Sequence, residues 1–133
     1  MEAECKVRII SDRDIVVARQ KGRALATKLG FSLGNATLIA TAISELARNI
    51  ISYAGDGMIA MNAIYDSKRE GLLIVASDEG PGISDIPLAL RDGFSTSGSL
   101  GIGLPGVRRL MDEFAIDSEP GHGTIITVTK WKL

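Results

Sequence analysis

From Asp78 to Gly106 the chain loses its apolar periodicity and fills with glycine, at Gly80, Gly82, Gly93, Gly98, Gly101, Gly103 and Gly106. An irregular stretch this long is uncommon inside a compact domain, and where it occurs it is usually a binding loop or a lid. Here it interrupts a chain of only 133 residues, the size of one ordinary domain with one core. A single domain spanning 1–133 is therefore expected, with partner recognition and any active site sharing one small scaffold.

Around that stretch the pattern is regular. Residues 5–10 alternate and predict a strand. Ser11 with Asp14 three residues on resembles a helix start, Asp standing for the usual Glu. Ile15, Ala18, Gly22, Leu25 and Leu29 then form one helical stripe, stopped at Gly30. Ile39, Ile43, Leu46, Ile50 and Tyr53 predict a second helix from about residue 35 to 53, ended by Gly55-Asp56-Gly57. Residues 58–65 and 72–77 predict a hairpin joined by a polar stretch. A short helix is expected near 86–91. Pro105 suits the first turn of a third helix, with Val107, Leu110, Met111 and Phe114 as its core stripe. Strands over 114–118 and 124–131 complete the chain.

Composition narrows the function classes. Apolar residues make up 45% and charged residues 23%, with a formal net charge of −1. Lysines and arginines form no run, so a nucleic-acid groove or a membrane-surface helix is not expected. No apolar run approaches the roughly 18 residues that span a bilayer, and no signal peptide is recognisable. The lone Cys5 cannot form an internal disulfide and fits a reducing, cytoplasmic setting. One histidine and one cysteine give no all-protein zinc site.

Four polar elements stand out. Glu45 and Asn49, four apart, lie within about 40° of each other on the second helix and at the rim of its apolar face. Asp78-Glu79-Gly80-Pro81-Gly82 follows a strand; an aspartate there can accept from an exocyclic amino group, and glycines let a flat ring approach the backbone. Gly101-Ile102-Gly103 precedes a helix, where backbone N–H groups attract anions. Gly121-His122-Gly123-Thr124 opens the last strand, with a hydroxyl that both donates and accepts. Singly each is ordinary: a solvated helix edge, two turns, a helix start. The G-x-G-x-x-G at Gly101, Gly103 and Gly106 lacks the preceding strand of a dinucleotide fold, and neither a P-loop nor an H-R-D kinase motif occurs.

Their order is what carries information. Glu-x-x-x-Asn, D-x-G-x-G, G-x-G and G-x-G-T in succession resemble the four boxes of the GHKL ATPase superfamily, which covers gyrase, Hsp90, histidine kinases and MutL. Ser44-Glu45-Leu46-Ala47-Arg48-Asn49-Ile50, Asp92-Gly93-Phe94-Ser95-Thr96-Ser97-Gly98 and the stretch from Gly103-Leu104-Pro105-Gly106 to Phe114 are most similar to the anti-sigma-factor and stressosome switch-kinase branch. The resemblance implies the Bergerat fold: an α/β protein, an α+β two-layer sandwich whose mixed, mostly antiparallel sheet is covered on one face by about three helices. It implies ATP and Mg²⁺ as cofactors, with Glu45 as general base, Asn49 on Mg²⁺, Asp78 and Thr124 on adenine, and Gly80, Gly82, Gly101 and Gly103 around the nucleotide. It further implies phosphorylation of Ser or Thr on STAS-domain partners and activation of a PP2C-type phosphatase. An anti-sigma factor that sequesters a sigma subunit, or a silent nucleotide-binding adaptor, remains the alternative. Many relatives carry a basic lid residue where Ser97 and Gly98 stand. A cation for the γ-phosphate must then come from Arg48, Arg91, Arg108, Arg109 or a partner.

Overall fold

The computed structural model describes residues 5–80, 103–118 and 121–132. The elements are β1 (Cys5–Ile9), α1 (Asp12–Lys28), α2 (Leu33–Tyr53), β2 (Gly57–Asp66), β3 (Arg69–Asp78), α3 (Gly103–Leu110), β4 (Glu113–Ser118) and β5 (Thr124–Trp131). The strands form one five-stranded sheet in the order β1-β2-β3-β5-β4. Expected as mixed and mostly antiparallel, it is antiparallel at every pairing among the described residues. The helix expected near 86–91 and the lid glycines lie outside the described residues.

Period-two alternation sorts the sheet into two faces. Val7, Ile9, Ile59, Met61, Leu72, Ile74, Ala76, Ile126 and Val128 share the covered face. They join Ile15, Ala18, Ile39, Ile43, Leu46, Ile50, Leu104 and Val107 of the three helices in one core. Among the described residues the helices lie on one face of the sheet and none covers the other, which makes the two-layer sandwich that the resemblance implied.

Local chemistry explains the element ends. The Asp14 carboxylate accepts the backbone N–H groups of Ile10 at 2.9 Å and Ser11 at 3.1 Å, so the α1 start works with Asp in the Glu role. Gly30 turns the chain at φ 93°. α2 begins at Leu33, two residues before the expected start, because Ser32 caps it: its Oγ accepts from Asn35 N at 3.1 Å. The β2–β3 hairpin is tighter than expected. Its strands run on to Asp66 and from Arg69, leaving only Ser67 and Lys68 between them, with Ser67 at φ 43°. Arg69 donates to Asp66 at 2.8 Å, and that hydrogen bond and charge lower the Asp66 pKa. Phe114, expected both at the end of the third helix's stripe and at the start of a strand over 114–118, belongs to β4. The Asp112 N–H bonds Thr129 O at 2.9 Å and draws the chain into the sheet before another helical turn can form.

The fit of α2 on the sheet depends on Gly57. A Cβ there would sit 2.6 Å from Ile50 Cγ2 and 2.6 Å from the Ser77 carbonyl oxygen, which is fixed in the ladder. Gly57→Ala is expected to lose about 1–3 kcal/mol of stability by overpacking. Gly34→Ala, in the first turn of α2 with nothing within 4 Å of the new Cβ, should be neutral or up to about 1 kcal/mol more stable. Urea unfolding of both variants reads the difference, and equal midpoints would remove the close-approach argument.

Candidate functional site

Glu45 and Asn49 project from the rim of α2, as their spacing predicts, but their surroundings differ. Glu45 is only 9% exposed, and both carboxylate oxygens are engaged. Arg48, one turn further along, donates from Nη1 to Oε1. The backbone N–H of Gly103, the first residue of α3, donates to Oε2 at 3.2 Å. Unpaired N–H groups and the dipole favour a negative group at a helix start, so the carboxylate ties α2 to α3. Asn49 is half-buried, and its side chain has no hydrogen-bond partner among the described residues. It is free to present a neutral oxygen.

The other end of α2 rests on two glycines. Ile50 covers Gly57, and a Cβ on Gly80 would lie 2.5 Å from Ala54 Cβ. Between those glycines β3 ends at Asp78, whose side chain follows Ile74 and Ala76 onto the covered face. Gly80 N–H donates to Asp78 Oδ1 at 2.9 Å, an Asx-type turn that fixes the carboxylate's rotation. The Oδ2 atom has no partner among the described residues. Thr124, 3% exposed, stands directly across from Asp78 in the β3–β5 register. Its hydroxyl lies 2.8 Å from Ser118 Oγ, which also donates to Gly123 O at 3.1 Å. Gly123 itself has φ 81°, and a Cβ there would come within 2.2 Å of the Asp78 carbonyl. The entry to β5 therefore crosses directly over the end of β3.

Gly57, Asp78, Thr124 and Ser118 form one cross-strand row. Of the expected site residues, the structure joins Glu45 to Gly103, Asp78 to Gly80 and Thr124, and places Asn49 on α2 between the two groups. Gly80 acts on Asp78, and Gly103 spends its N–H on Glu45 rather than leaving it open. Gly82 and Gly101 lie outside the described residues. Sequence reasoning missed Ser118 and Gly57. Ser118 and Thr124 stand equally far from Gly121 at the centre of their hairpin, so strand register would have paired them; Gly57 was read only as a turn residue.

A cleft of about 770 Å³ opens beside Ala54, Asp78 and Gly80, a size that suits a small molecule. Its far wall includes Arg8, Met58, Ser77 and Ile125, from the sheet's other face, and Glu45, Asn49 and Thr124 do not line it. The polar groups that could hold and transform a ligand are spread instead along α2, from Asp78 and Gly80 near its C-terminal end to Glu45 at the start of α3. No group of three or more His, Cys, Asp or Glu able to hold a metal occurs among the described residues. No helix among them is long and apolar enough to cross a membrane.

Comparison with known proteins bears on the family and the fold. A family model described as histidine kinase-, DNA gyrase B- and HSP90-like ATPase matches residues 34–133. The chain is 54% identical over 131 residues to serine/threonine-protein kinase RsbT of Bacillus subtilis (strain 168), covering 98% of each. It is 34% identical over 121 residues to an anti-sigma F factor of Caldanaerobacter subterraneus subsp. tengcongensis, covering 86% of this chain and 82% of that one. Among solved structures, the SiaB–SiaC complex from Pseudomonas aeruginosa matches with a TM-score of 0.62 at 14% identity, covering 98% of this chain and 91% of that one, a likeness of fold. The chain belongs to the family of histidine kinase-, DNA gyrase B- and HSP90-like ATPases and, within it, to the ATP-using serine/threonine-protein kinases.

Proposed function

We propose that the chain transfers the ATP γ-phosphate to a serine or threonine of a STAS-domain protein in the cytoplasm. Released from that partner, it binds and activates a PP2C-type phosphatase of a general stress pathway. The observation that carries the catalytic part is the buried Glu45 carboxylate on the α2 rim, one turn from Asn49. Its pairing with Asn49 on one rim, in a chain 54% identical to a serine/threonine-protein kinase, favours catalysis over a silent adaptor.

The residues fit the nucleotide. Asp78 has one oxygen fixed by Gly80 and the other open to adenine's amino group. With the Ser118 proton directed to Gly123 O, the Thr124 hydroxyl donates to Ser118 and keeps its lone pairs for an incoming donor. The residues also fit Mg²⁺, which takes most of its ligands from water and phosphate oxygens and needs only one or two from protein. Asn49 would hold it, and the ion would neutralise phosphate charge. Phosphoryl transfer then requires positioning more than covalent help. The acceptor hydroxyl gives its proton to Glu45 while its oxygen bonds to the γ-phosphorus, and the bond to the β-phosphate oxygen breaks to release ADP.

The likeness to anti-sigma F factors supports a second reading, in which the chain also sequesters a sigma subunit. Pull-down with a sigma factor, set against pull-down with STAS proteins, separates the two.

Three outcomes test the assignment. Asp78→Asn should weaken ATP binding measured by calorimetry, because an amide can turn its donor end toward adenine's amino donor; unchanged affinity removes Asp78 from the base pocket. Asn49→Ala should abolish Mg·ATP-dependent phosphorylation while keeping the circular dichroism of the native protein, and normal transfer would sink the metal-ligand role. Glu45→Gln should lose ~10²–10⁴-fold in phosphotransfer rate yet still activate the phosphatase, since docking needs only the folded surface. Loss of both activities together in a folded variant would contradict the two-role reading.

A further inference from the structure

We propose that Arg48 is the cation that meets the ATP γ-phosphate, and that Glu45 holds it in place until nucleotide arrives. The inference rests on the nucleotide site proposed above and assigns one residue a role within it. Arg48 and Glu45 are three residues apart on one helix, a spacing that ordinarily gives a solvated surface pair of little consequence. This pair is different, because the Glu45 side chain is 9% exposed while that of Arg48 is 35% exposed. The buried partner is the carboxylate proposed to accept the proton, and the exposed partner is its cation, immediately before Asn49 in sequence.

The same carboxylate also takes the Gly103 N–H at the start of α3. Glu45 thus occupies two donors, a guanidinium and a backbone N–H, that a phosphate would use in the same way. A general base with both oxygens engaged must release one of them before it can accept a proton. A phosphate arriving beside Asn49 offers Arg48 an alternative anion, and the exchange frees Oε1 toward the acceptor hydroxyl. Arg48 then faces the charge that spreads over the γ-phosphate oxygens during transfer, where an arginine supplied in cis is effective. One contact therefore ties the presence of the γ-phosphate to the readiness of the base.

Among the described residues, the other candidate cations are worse placed, and Arg91 lies outside them. Arg108 and Arg109 are exposed in the last turn of α3, roughly 7–9 Å along the helix axis from Gly103. Their guanidinium groups start from the end of α3 that points away from Glu45.

The test is the affinity of the wild type and of Arg48→Gln, Arg48→Lys, Glu45→Gln and the Glu45→Gln/Arg48→Gln double variant for Mg·ATP and Mg·ADP, by calorimetry. Arg48→Gln should weaken ATP roughly tenfold to a hundredfold, the size of a lost charge-assisted hydrogen bond, and leave ADP within about twofold. Arg48→Lys, which keeps the charge but not the fork, should recover part of that loss. Glu45→Gln should bind ATP more tightly than wild type, and that gain should shrink when Arg48 is also removed. The double variant leaves no buried charge without its partner, so it keeps the test alive if Arg48→Gln alone folds poorly. A role confined to satisfying Glu45 predicts lower thermal stability with ATP and ADP affected equally, and that result overturns the inference. A Glu45→Gln gain undiminished by loss of Arg48 overturns it too, since simple charge repulsion would then suffice. A wild type that binds neither nucleotide removes the site itself; a wild type that binds ATP with an affinity that Arg48→Gln leaves unchanged removes only this inference.

Discussion

Burial of α2 is the constraint on which the rest of the structure depends. Ile39, Ile43 and Leu46 are fully buried and Ile50 is 2% exposed, each contributing roughly 1.5–3 kcal/mol relative to an exposed side chain. Ala36, Ala40, Ala42 and Ala47 are buried beside them and let α1, α3 and the sheet approach closely. A helix enclosed on so many sides can neither rotate nor slide without disturbing three neighbours at once, because protein interiors are close-packed. The polar side chains at its rim are held with the same precision.

That rigidity connects the two ends of the site. At one end Ile50 and Ala54 seat α2 on Gly57 and Gly80, which brackets Asp78. At the other, Glu45 meets the first residue of α3. On the proposed reading, the base pocket and the phosphate end are measured off along a single helix. For phosphoryl transfer this matters more than any one functional group, since catalysis is mostly the placement of two oxygens and compensation of charge. The scaffold provides the distance, and the glycine-rich stretch between Asp78 and Gly103 joins the two ends in sequence.

Much of this was legible in the sequence, and the boundary between what was and was not is physical. Helical periodicity in Ile39, Ile43, Leu46 and Ile50 located α2 and put Glu45 and Asn49 at its rim, but naming them as site residues needed the order of the four motifs and the family resemblance. Alternation located β3 and β5 and put Asp78 and Thr124 at strand ends. Their direct pairing joins strands separated by the glycine-rich stretch, α3 and β4, so no hairpin length sets its register; the β4–β5 hairpin would have found only the Ser118–Thr124 pair. The Glu45–Gly103 bond joins residues 58 apart in sequence, and no local pattern encodes it. Phe114 was assigned to both the helix and the following strand, because Leu110, Met111 and Phe114 fit a helical stripe equally well. The Asp112–Thr129 hydrogen bond, a tertiary contact, decides in favour of the strand.

The central claim is that this small scaffold moves phosphate to a hydroxyl on another protein. Its most direct test is a single-turnover reaction with γ-labelled ATP and a purified STAS partner, followed by phosphoamino-acid analysis and measurement of ADP. The account predicts acid-stable phosphoserine or phosphothreonine on the partner, with one ADP formed for each phosphate transferred. Acid-labile label on histidine or aspartate, or ADP formed at the same rate without the partner, would contradict it.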